Sequence, residues 1–473
     1  MARLSEFSII LSLQIKQNTV GKLLRQAHQF PKEYAVIAAS YKDHVSQLQT
    51  NYESALLSVF DKQPPDGVLL YSGSEQYYYA DDRGVAFQAY GHFLHWIDVN
   101  RPGQMLCVRP GRRPVYYQVV PDDYWYEQGI MADPVWGDCF DLVRLTSETA
   151  LIEQIKGTYV FLGDNRALAD TLGVPAALSN PEALLSCLDY QRAYKSDYEL
   201  DQLRVANRLA LIGHTAARDC FLAGGSEYDI HMAYLTTCGV LEDETPYTNI
   251  VALNEKAAIL HYQNKRRQLQ DDNRVLLIDA GYRVRGYGSD ITRTSVSNDI
   301  HPVFSVLLAG IESIKDKLVA TVRPGLSYVD LHLKALAEIA ELLTTVAVCR
   351  GTASELLEQE VVQRFMPHGV GHLLGIQVHD VAGHQQSMRG DMLGPPDHSP
   401  MLRNTRQCAE GMVFTIEPGC YFIPLLLEAE RQSDRSGLYN WDLIDELYYM
   451  GGIRIEDNVC VTADGVENLT STT

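Results

Sequence analysis

The stretch VLLIDAG at 275–281 constrains this chain more than any other, because four apolar residues run straight into Asp279. A buried strand rarely accepts an unpaired carboxylate, since taking a charge out of water is costly. Asp290 follows eleven residues later, in GSDITRTS at 288–295. With the intervening turn centred between Val284 and Arg285, Asp279 and Asp290 are expected to face each other across two antiparallel strands, with Cβ atoms about 5 Å apart. Carboxylates so placed repel unless a cation lies between them. The plainer alternative is one aspartate at a loop end and one capping a turn.

Two further acids close apolar patterns. In GMVFTIEPGCYF (411–422), Met412, Phe414 and Ile416 alternate with Val413, Thr415 and Glu417, and Pro418-Gly419 turns the chain. GGIRIEDNVCVT (451–462) reads as one strand, with Ile453, Ile455, Val459 and Val461 on one face. Arg454, Glu456, Asn458, Cys460 and Thr462 take the other face, and Asp457 is the exception. Between these acids lies FMPHGVGHLLGIQVHD (365–380), which places His368, His372 and His379 inside twelve residues. Gly369 and Gly371 allow a tight backbone path there. The spacing is not that of a His-Glu-x-x-His helix.

Asp279, Asp290, His372, Glu417 and Glu456 together offer four carboxylates and one imidazole. Their four negative charges balance two divalent cations, which carboxylates can bridge at about 3.5–4 Å. A set rich in oxygen, with one imidazole and no thiolate, suits Mn²⁺ or Co²⁺ better than a structural zinc.

The rest of the chain supplies the setting. Its 473 residues suffice for two or three domains. Lys and Arg number 40 and Asp and Glu 60, a formal net charge of −20. Such a balance argues against an extended nucleic-acid surface and against electrostatic attachment to an anionic membrane. Nine cysteines, an odd number with no Cys-x-x-Cys, fit a reducing compartment, and no apolar run reaches a membrane-spanning length. The chain therefore reads as cytoplasmic.

Residues 1–40 carry five Lys/Arg against two Glu and read as an N-terminal extension of unknown role. From Tyr41 a helical face begins, with Val45, Leu48, Tyr52, Leu56 and Val59 at spacings of three and four. Strand-like runs follow at Val68–Tyr71, Gln104–Val108, Val115–Val120 and Thr158–Leu162. This is the pattern of an α/β domain over 41–190. The polar, Tyr-rich LDYQRAYKSDYEL (188–200) marks a boundary near 180–195. The second domain, 191–473, alternates helices near 199–223, 303–322, 327–346 and 355–364 with acid-bearing strands.

The ordered set Asp-x10-Asp, His-Gly-x-Gly-His, Thr-Ile-Glu-Pro-Gly and Arg-Ile-Glu-Asp resembles the pita-bread dinuclear metallopeptidases. PYTNIVALNE (246–255) and LHY (260–262) bring it close to their bacterial Xaa-Pro dipeptidase (prolidase) branch. The resemblance runs from about Tyr41 to the C-terminus. It implies an α/β N-terminal domain followed by an α+β pita-bread domain of the creatinase/aminopeptidase type, assembled as a homodimer. It implies Asp279, Asp290, His372, Glu417 and Glu456 as ligands of two divalent cations, most readily Mn²⁺, with Co²⁺ as an alternative. Asp290 and Glu456 would bridge them.

The same resemblance gives Glu417 a second role as proton shuttle. It makes His261, His368 and His379 substrate-contacting or supporting histidines, with His368 or His379 polarising the scissile carbonyl. Arg403 would hold the substrate's C-terminal carboxylate and Arg454 would support the metal site. Tyr328 and the Tyr77–Tyr79/Asp81–Asp82 segment are further candidates for shaping the pocket, the latter from a partner subunit. The implied reaction is hydrolysis of Xaa-Pro dipeptides by metal-bound hydroxide, releasing proline, with organophosphate triesters as incidental substrates. Xaa-Pro aminopeptidase activity and a non-catalytic binding module are the alternatives.

Overall fold

The computed structural model describes residues 31–129, 133–270 and 272–471. Most of the expected N-terminal extension, residues 1–30, lies outside the described residues. Residues 31–40 open helix α1 (Pro31–Val59), ten residues ahead of the helical face expected from Tyr41. The apolar face begins only at Tyr41 and continues through Val45, Leu48, Tyr52 and Leu56, all buried. Periodicity therefore marked where the helix meets the core rather than where it begins.

The N-terminal domain is a five-stranded sheet in the order β4-β3-β2-β1-β5. The strands are β1 (Gly67–Tyr71), β2 (Met105–Val108), β3 (Val115–Val119), β4 (Asp141–Leu145) and β5 (Tyr159–Leu162). β1 runs parallel to β5 and β3 parallel to β4, while β2 is antiparallel to both its neighbours. The edge strand β4 is missing from the expected set because most of DLVRL faces outward and lacks an apolar run. Helices α1, α2 (Gly91–Trp96) and α3 (Glu182–Arg192) cover one face, with Tyr52, Phe93, Trp96 and Leu188 in a shared core.

The C-terminal half begins at α4 (Asp197–Leu222), whose first turn is closed by a capping box between Ser196 and Glu199. His44 of α1 lies 2.8 Å from the Ser196 hydroxyl, and His95 of α2 lies 3.2 Å from Glu199, so the cap is also a joint between domains. Helix α5 (Glu227–Cys238), absent from the sequence-based expectation, packs along α4. Strands β6 (Ile250–Leu253), β7 (Val275–Asp279) and β10 (Thr292–Val296) form one antiparallel sheet with β7 central, and the hairpin β8 (Arg283–Val284)–β9 (Tyr287–Gly288) lies between β7 and β10 in sequence.

Helices α6 (Pro302–Thr321) and α7 (Tyr328–Thr345) are as expected to within two residues. Leu307, Ile311, Leu336 and Ile339 from these two pack on Phe414, Ile416 and Val459. The expected helix at 355–364 is instead two short helices, Ala353–Glu358 and Val362–Phe365, interrupted where Glu360 takes φ +54°. Strand β11 (Val413–Ile416) then pairs with β14 (Asp457–Val461), which also pairs with β15 (Val466–Asn468), while β12 (Gly419–Tyr421) pairs with β13 (Gly452–Arg454).

Two expectations about strand geometry are corrected. The turn after β7 is the two-residue Arg285-Gly286, with φ +48° and +90°, a left-handed pair that suits a tight hairpin. Its centre lies one residue later than expected. Asp279 therefore pairs with Thr292, and Asp290 sits just before β10. The 451–462 segment is not one strand: β13 and β14 belong to different sheets, with Ile455 and Glu456 crossing between them. Asp457 is buried on the core side because Lys315 and Arg293 each reach it at 2.7 Å.

Candidate active site

The acids gather where the sheets meet. Asp279 ends β7, Asp290 precedes β10, Glu417 follows β11, and Glu456 sits in the β13–β14 crossover with its N–H donating to Thr292 O. His372 enters from the glycine-rich loop. There Gly371 has φ +152°, and a Cβ on it would lie 2.2 Å from Thr415 O and 2.3 Å from the Tyr328 hydroxyl. Only a glycine lets that loop lie against β11. The His372 N–H in turn donates to Thr415 Oγ1 at 3.1 Å.

His372 Nδ1 donates to Leu373 O at 3.0 Å, so Nε2 is turned inward, 3.2 Å from Asp290 and 3.7 Å from Glu417. Fixing one imidazole nitrogen on a backbone carbonyl and presenting the other is the usual preparation of a metal-binding histidine. Donor atoms of Asp290, His372 and Glu456 all lie within 4.8 Å of one another. Asp279, Asp290, His372 and Glu456 are all at least nine-tenths buried, and Glu417 keeps 16% of its side chain open.

The charges of this cluster are unbalanced by protein groups. Arg454 reaches Asp279 at 2.7 Å, and the other acids have no arginine or lysine ion pair among the described residues. Burial and the neighbouring Asp290 push Asp279 up to about 6. Burial lifts Glu417 to about 7 despite His372 and Arg454, and lifts Glu456 well above the carboxylate range. Asp290 is held low against its burial by the His372 imidazole, whose own pKa rises in return. Four carboxylates and an inward-turned imidazole, buried with one countercharge, fit divalent cations of the oxygen-preferring kind.

Supporting hydroxyls serve three of the four acids. The Tyr247 hydroxyl donates to Asp279 at 2.6 Å, Thr292 Oγ1 to Glu456 at 2.6 Å, and Thr415 Oγ1 to Glu417 at 3.2 Å. Arg454 also donates to the Tyr421 hydroxyl at 3.0 Å. His368 Nδ1 lies 2.7 Å from Gly369 O, which only accepts, so Nδ1 carries the proton. Nε2, 3.0 Å from the Tyr421 hydroxyl, then accepts from it.

Of the other sequence candidates, His379 rests edge-on against His372, with centroids 4.4 Å apart. Arg403 and His261 are exposed and near enough to His379 to lower its pKa, which burial first brings down to about 4. Tyr328 does not line the opening: it is fully buried behind β11, donating to Thr415 O at 2.8 Å. Tyr77, Tyr78 and Tyr79 are exposed on the N-terminal domain.

Tyr247, Thr292, Thr415 and Tyr421 were not singled out from the sequence. Tyr247 lies in the quoted PYTNIVALNE, but its bearing on Asp279 follows from the pairing of Ile250 with Asp279. That pairing is non-local and carries no motif of its own.

Comparison with known proteins gives the family and the fold. The model of metallopeptidase family M24 matches residues 201–463, and that of the Xaa-Pro dipeptidase N-terminal domain matches 39–190. The chain belongs to metallopeptidase family M24, and is a hydrolase of peptides. The chain is similar to the Xaa-Pro dipeptidase of Marinobacter nauticus, 44% identical over 90% of this chain and 96% of the relative. It is likewise similar to that of Pseudoalteromonas atlantica, 39% identical over 92% and 98%. Aminopeptidase P from E. coli with the inhibitor Pro-Leu superposes with a TM-score of 0.69 at 21% identity, over 90% of this chain and 95% of that one. Aminopeptidase PepP of Pseudomonas aeruginosa gives 0.67 at 23% identity, over 89% and 94%. These likenesses establish the pita-bread fold behind an α/β N-terminal domain.

Proposed function

We propose that this chain hydrolyses Xaa-Pro dipeptides to release proline. The observation that carries the reading is the convergence of four largely buried carboxylates and His372, with the exposed His379 stacked on His372 and Arg403 and His261 near it. Curated relatives bearing the Xaa-Pro dipeptidase name, matched along nine-tenths of the chain, support the same substrate class.

Asp279, Asp290, His372, Glu417 and Glu456 would hold two divalent cations, Mn²⁺ foremost and Co²⁺ as the alternative. When bound, the cations supply Lewis acidity and acidify water towards neutral pH. Glu417, with a pKa raised to about 7 and an open edge, is suited to take a proton from water and return it. Its acceptor is the departing proline nitrogen, a tertiary amide nitrogen without a proton of its own. His368 has both ring nitrogens engaged within the protein, so the donor to the scissile carbonyl oxygen is His379. The pKa of about 4 keeps its imidazole neutral, with one N–H to donate. Arg403 binds the free carboxylate by a charge-assisted, two-pronged contact. A longer peptide has an amide at that position, which sets the dipeptide limit.

The test is turnover of Gly-Pro and of Gly-Pro-Ala by chelated enzyme, with and without added Mn²⁺. Manganese-dependent release of proline from Gly-Pro alone supports the reading. Preference for Gly-Pro-Ala selects the aminopeptidase reading. Absence of bound metal and of turnover selects a binding module. Organophosphate triesters, attacked by the same activated water, are proposed as incidental substrates. Assembly as a homodimer is proposed from the exposed aromatics Tyr77–Tyr79 and Tyr124–Tyr126 of the N-terminal domain, and light scattering tests it. All nine cysteines are free, which fits a reducing, cytoplasmic setting, and no described helix is long and apolar enough to cross a membrane.

A further inference from the structure

His379 faces the cluster without a hydrogen bond of its own. Among the described residues its ring contact is the edge-on stack against His372. One side of the ring is exposed, and among the described residues no hydrogen bond fixes it. The direction of the ring therefore depends on the backbone at 378–380, and that backbone is anchored by its neighbour Asp380.

Asp380 is tied down at its N–H and at both carboxylate oxygens. Its N–H donates to Leu373 O at 2.9 Å, and Oδ1 accepts from Val381 N–H at 3.0 Å. Oδ1 also takes Arg192 Nη2 at 2.5 Å and Nε at 3.1 Å, and Oδ2 takes Lys195 Nζ at 3.0 Å. The three side chains are 1%, 2% and 0% exposed. Arg192 reaches Gln377 on the same loop, and Lys195 Nζ closes back on Arg192 O at 2.6 Å. Gly375 makes room for this group: a Cβ there would lie 2.4 Å from Asp380 Oδ2 and 2.7 Å from Lys195 Cε.

A carboxylate and two cations cost several kcal/mol each to bury, and a well-packed apolar trio serves stability as well. What the ionic trio adds is direction, because each bond accepts one geometry. Its cations come from a particular place. Arg192 ends α3 of the N-terminal domain, and Lys195 lies in the four-residue stretch before Asp197 opens α4. The joint between the domains thus grips the loop that carries His379.

We propose that Arg192 and Lys195 are positioning residues for the hydrolysis: acting through Asp380, they hold the backbone that aims His379 at the carboxylate cluster. The inference rests on the role of His379 given above and deepens it.

A double-mutant cycle tests it. Arg192→Gln, Arg192→Lys, His379→Ala and the double variant Arg192→Gln/His379→Ala are assayed on Gly-Pro with Mn²⁺, alongside metal content. Arg192→Gln is expected to lower kcat by about tenfold to a hundredfold with bound metal retained. Arg192→Lys recovers part of that loss. In the His379→Ala background, Arg192→Gln changes kcat by no more than about twofold. Equal losses in both backgrounds overturn the proposal. Should Arg192→Gln fail to fold, Lys195→Gln, which keeps the Arg192–Asp380 pair, enters the same cycle. If the wild type does not turn over Gly-Pro, the functional reading fails separately. The imidazole NMR signals of protein loaded with diamagnetic Zn²⁺ then decide: a shifted His379 resonance in Lys195→Gln supports the anchor, and an unmoved one overturns it.

Discussion

Arg454 places its guanidinium 2.7 Å from the Asp279 carboxylate, in a site whose remaining acids pair, among the described residues, with histidine and hydroxyl groups. The same guanidinium donates to Thr292 Oγ1 and to the Tyr421 hydroxyl, each at 3.0 Å. One side chain therefore orients a carboxylate, the hydroxyl bonded to Glu456, and the phenol bonded to His368.

Replacing Arg454 by Met removes the one full cation that pairs with Asp279. Breaking a buried ion pair from one side costs roughly 3–5 kcal/mol. The loss should be largest in chelated protein, where no other cation compensates Asp279. Melting temperatures with and without chelator measure it: Arg454→Met is expected to widen the gap between the two, and an unchanged gap refutes the assignment.

Glu417→Gln keeps the shape of the side chain but not its basicity. Removing a positioned acid–base group costs about 10²–10⁴-fold in rate. Turnover of Gly-Pro is expected to fall into that range while elemental analysis still finds most of the metal. Full activity in the variant would rule out the proton-carrying role.

Chelated protein should lose stability as pH rises. Asp279 and Glu417 have folded-state pKa values of about 6 and about 7, above their ordinary values of 3.8 and 4.5. The folded state therefore holds more protons than the unfolded state between about pH 4 and 7, and stability falls with rising pH across that window. The slope is about 1.4 kcal/mol per pH unit for each proton. Denaturant titrations of chelated protein at pH 5, 6 and 7 follow it. Glu417→Gln should flatten the upper part of the curve, and Mn²⁺ bound to wild type at neutral pH should release protons into a weak buffer.

Tyr247→Phe deletes the hydroxyl that donates to Asp279 and leaves the ring in place. If Asp279 holds metal as proposed, losing such a partner costs about 10–100-fold in metal affinity or activity. Metal titration of the variant, read by restored turnover, is expected to shift the half-saturating Mn²⁺ concentration upward with little change in melting temperature.

Arg403→Ala should raise KM for Gly-Pro with kcat nearly unchanged, since the contact is made equally in ground and transition states. It should also narrow the preference for Gly-Pro over Gly-Pro-Ala. A fall in kcat at constant KM would place Arg403 outside the carboxylate contact.

The residues of the site were legible before any fold. Asp279, Glu417 and Glu456 each close an apolar run, and a strand that ends in an acid announces a carboxylate with somewhere to go. The His-Gly-Val-Gly-His spacing was equally plain, since glycines flanking a histidine mark a backbone that must pass close to something. What pairs with each acid was not legible. One left-handed pair at Arg285-Gly286 moved the register by two residues and set Thr292, not Asp290, opposite Asp279. The break at Ile455-Glu456 looked like continuous alternation because both halves keep the same apolar period while joining different sheets.

By itself the sequence determined which four acids and which histidine to look for, the family, and the position of the core faces. These are properties of residue type and local period. Only the tertiary structure decided that Arg454 and Tyr247 both serve Asp279, that Tyr421 occupies the free nitrogen of His368, and that Asp380 is gripped by Arg192 and Lys195 from the joint between domains. Those partners lie between 32 and 188 residues apart in the chain. Hydrogen bonds are directional over about 3 Å, so who meets whom depends on register and sheet order, which local pattern does not encode.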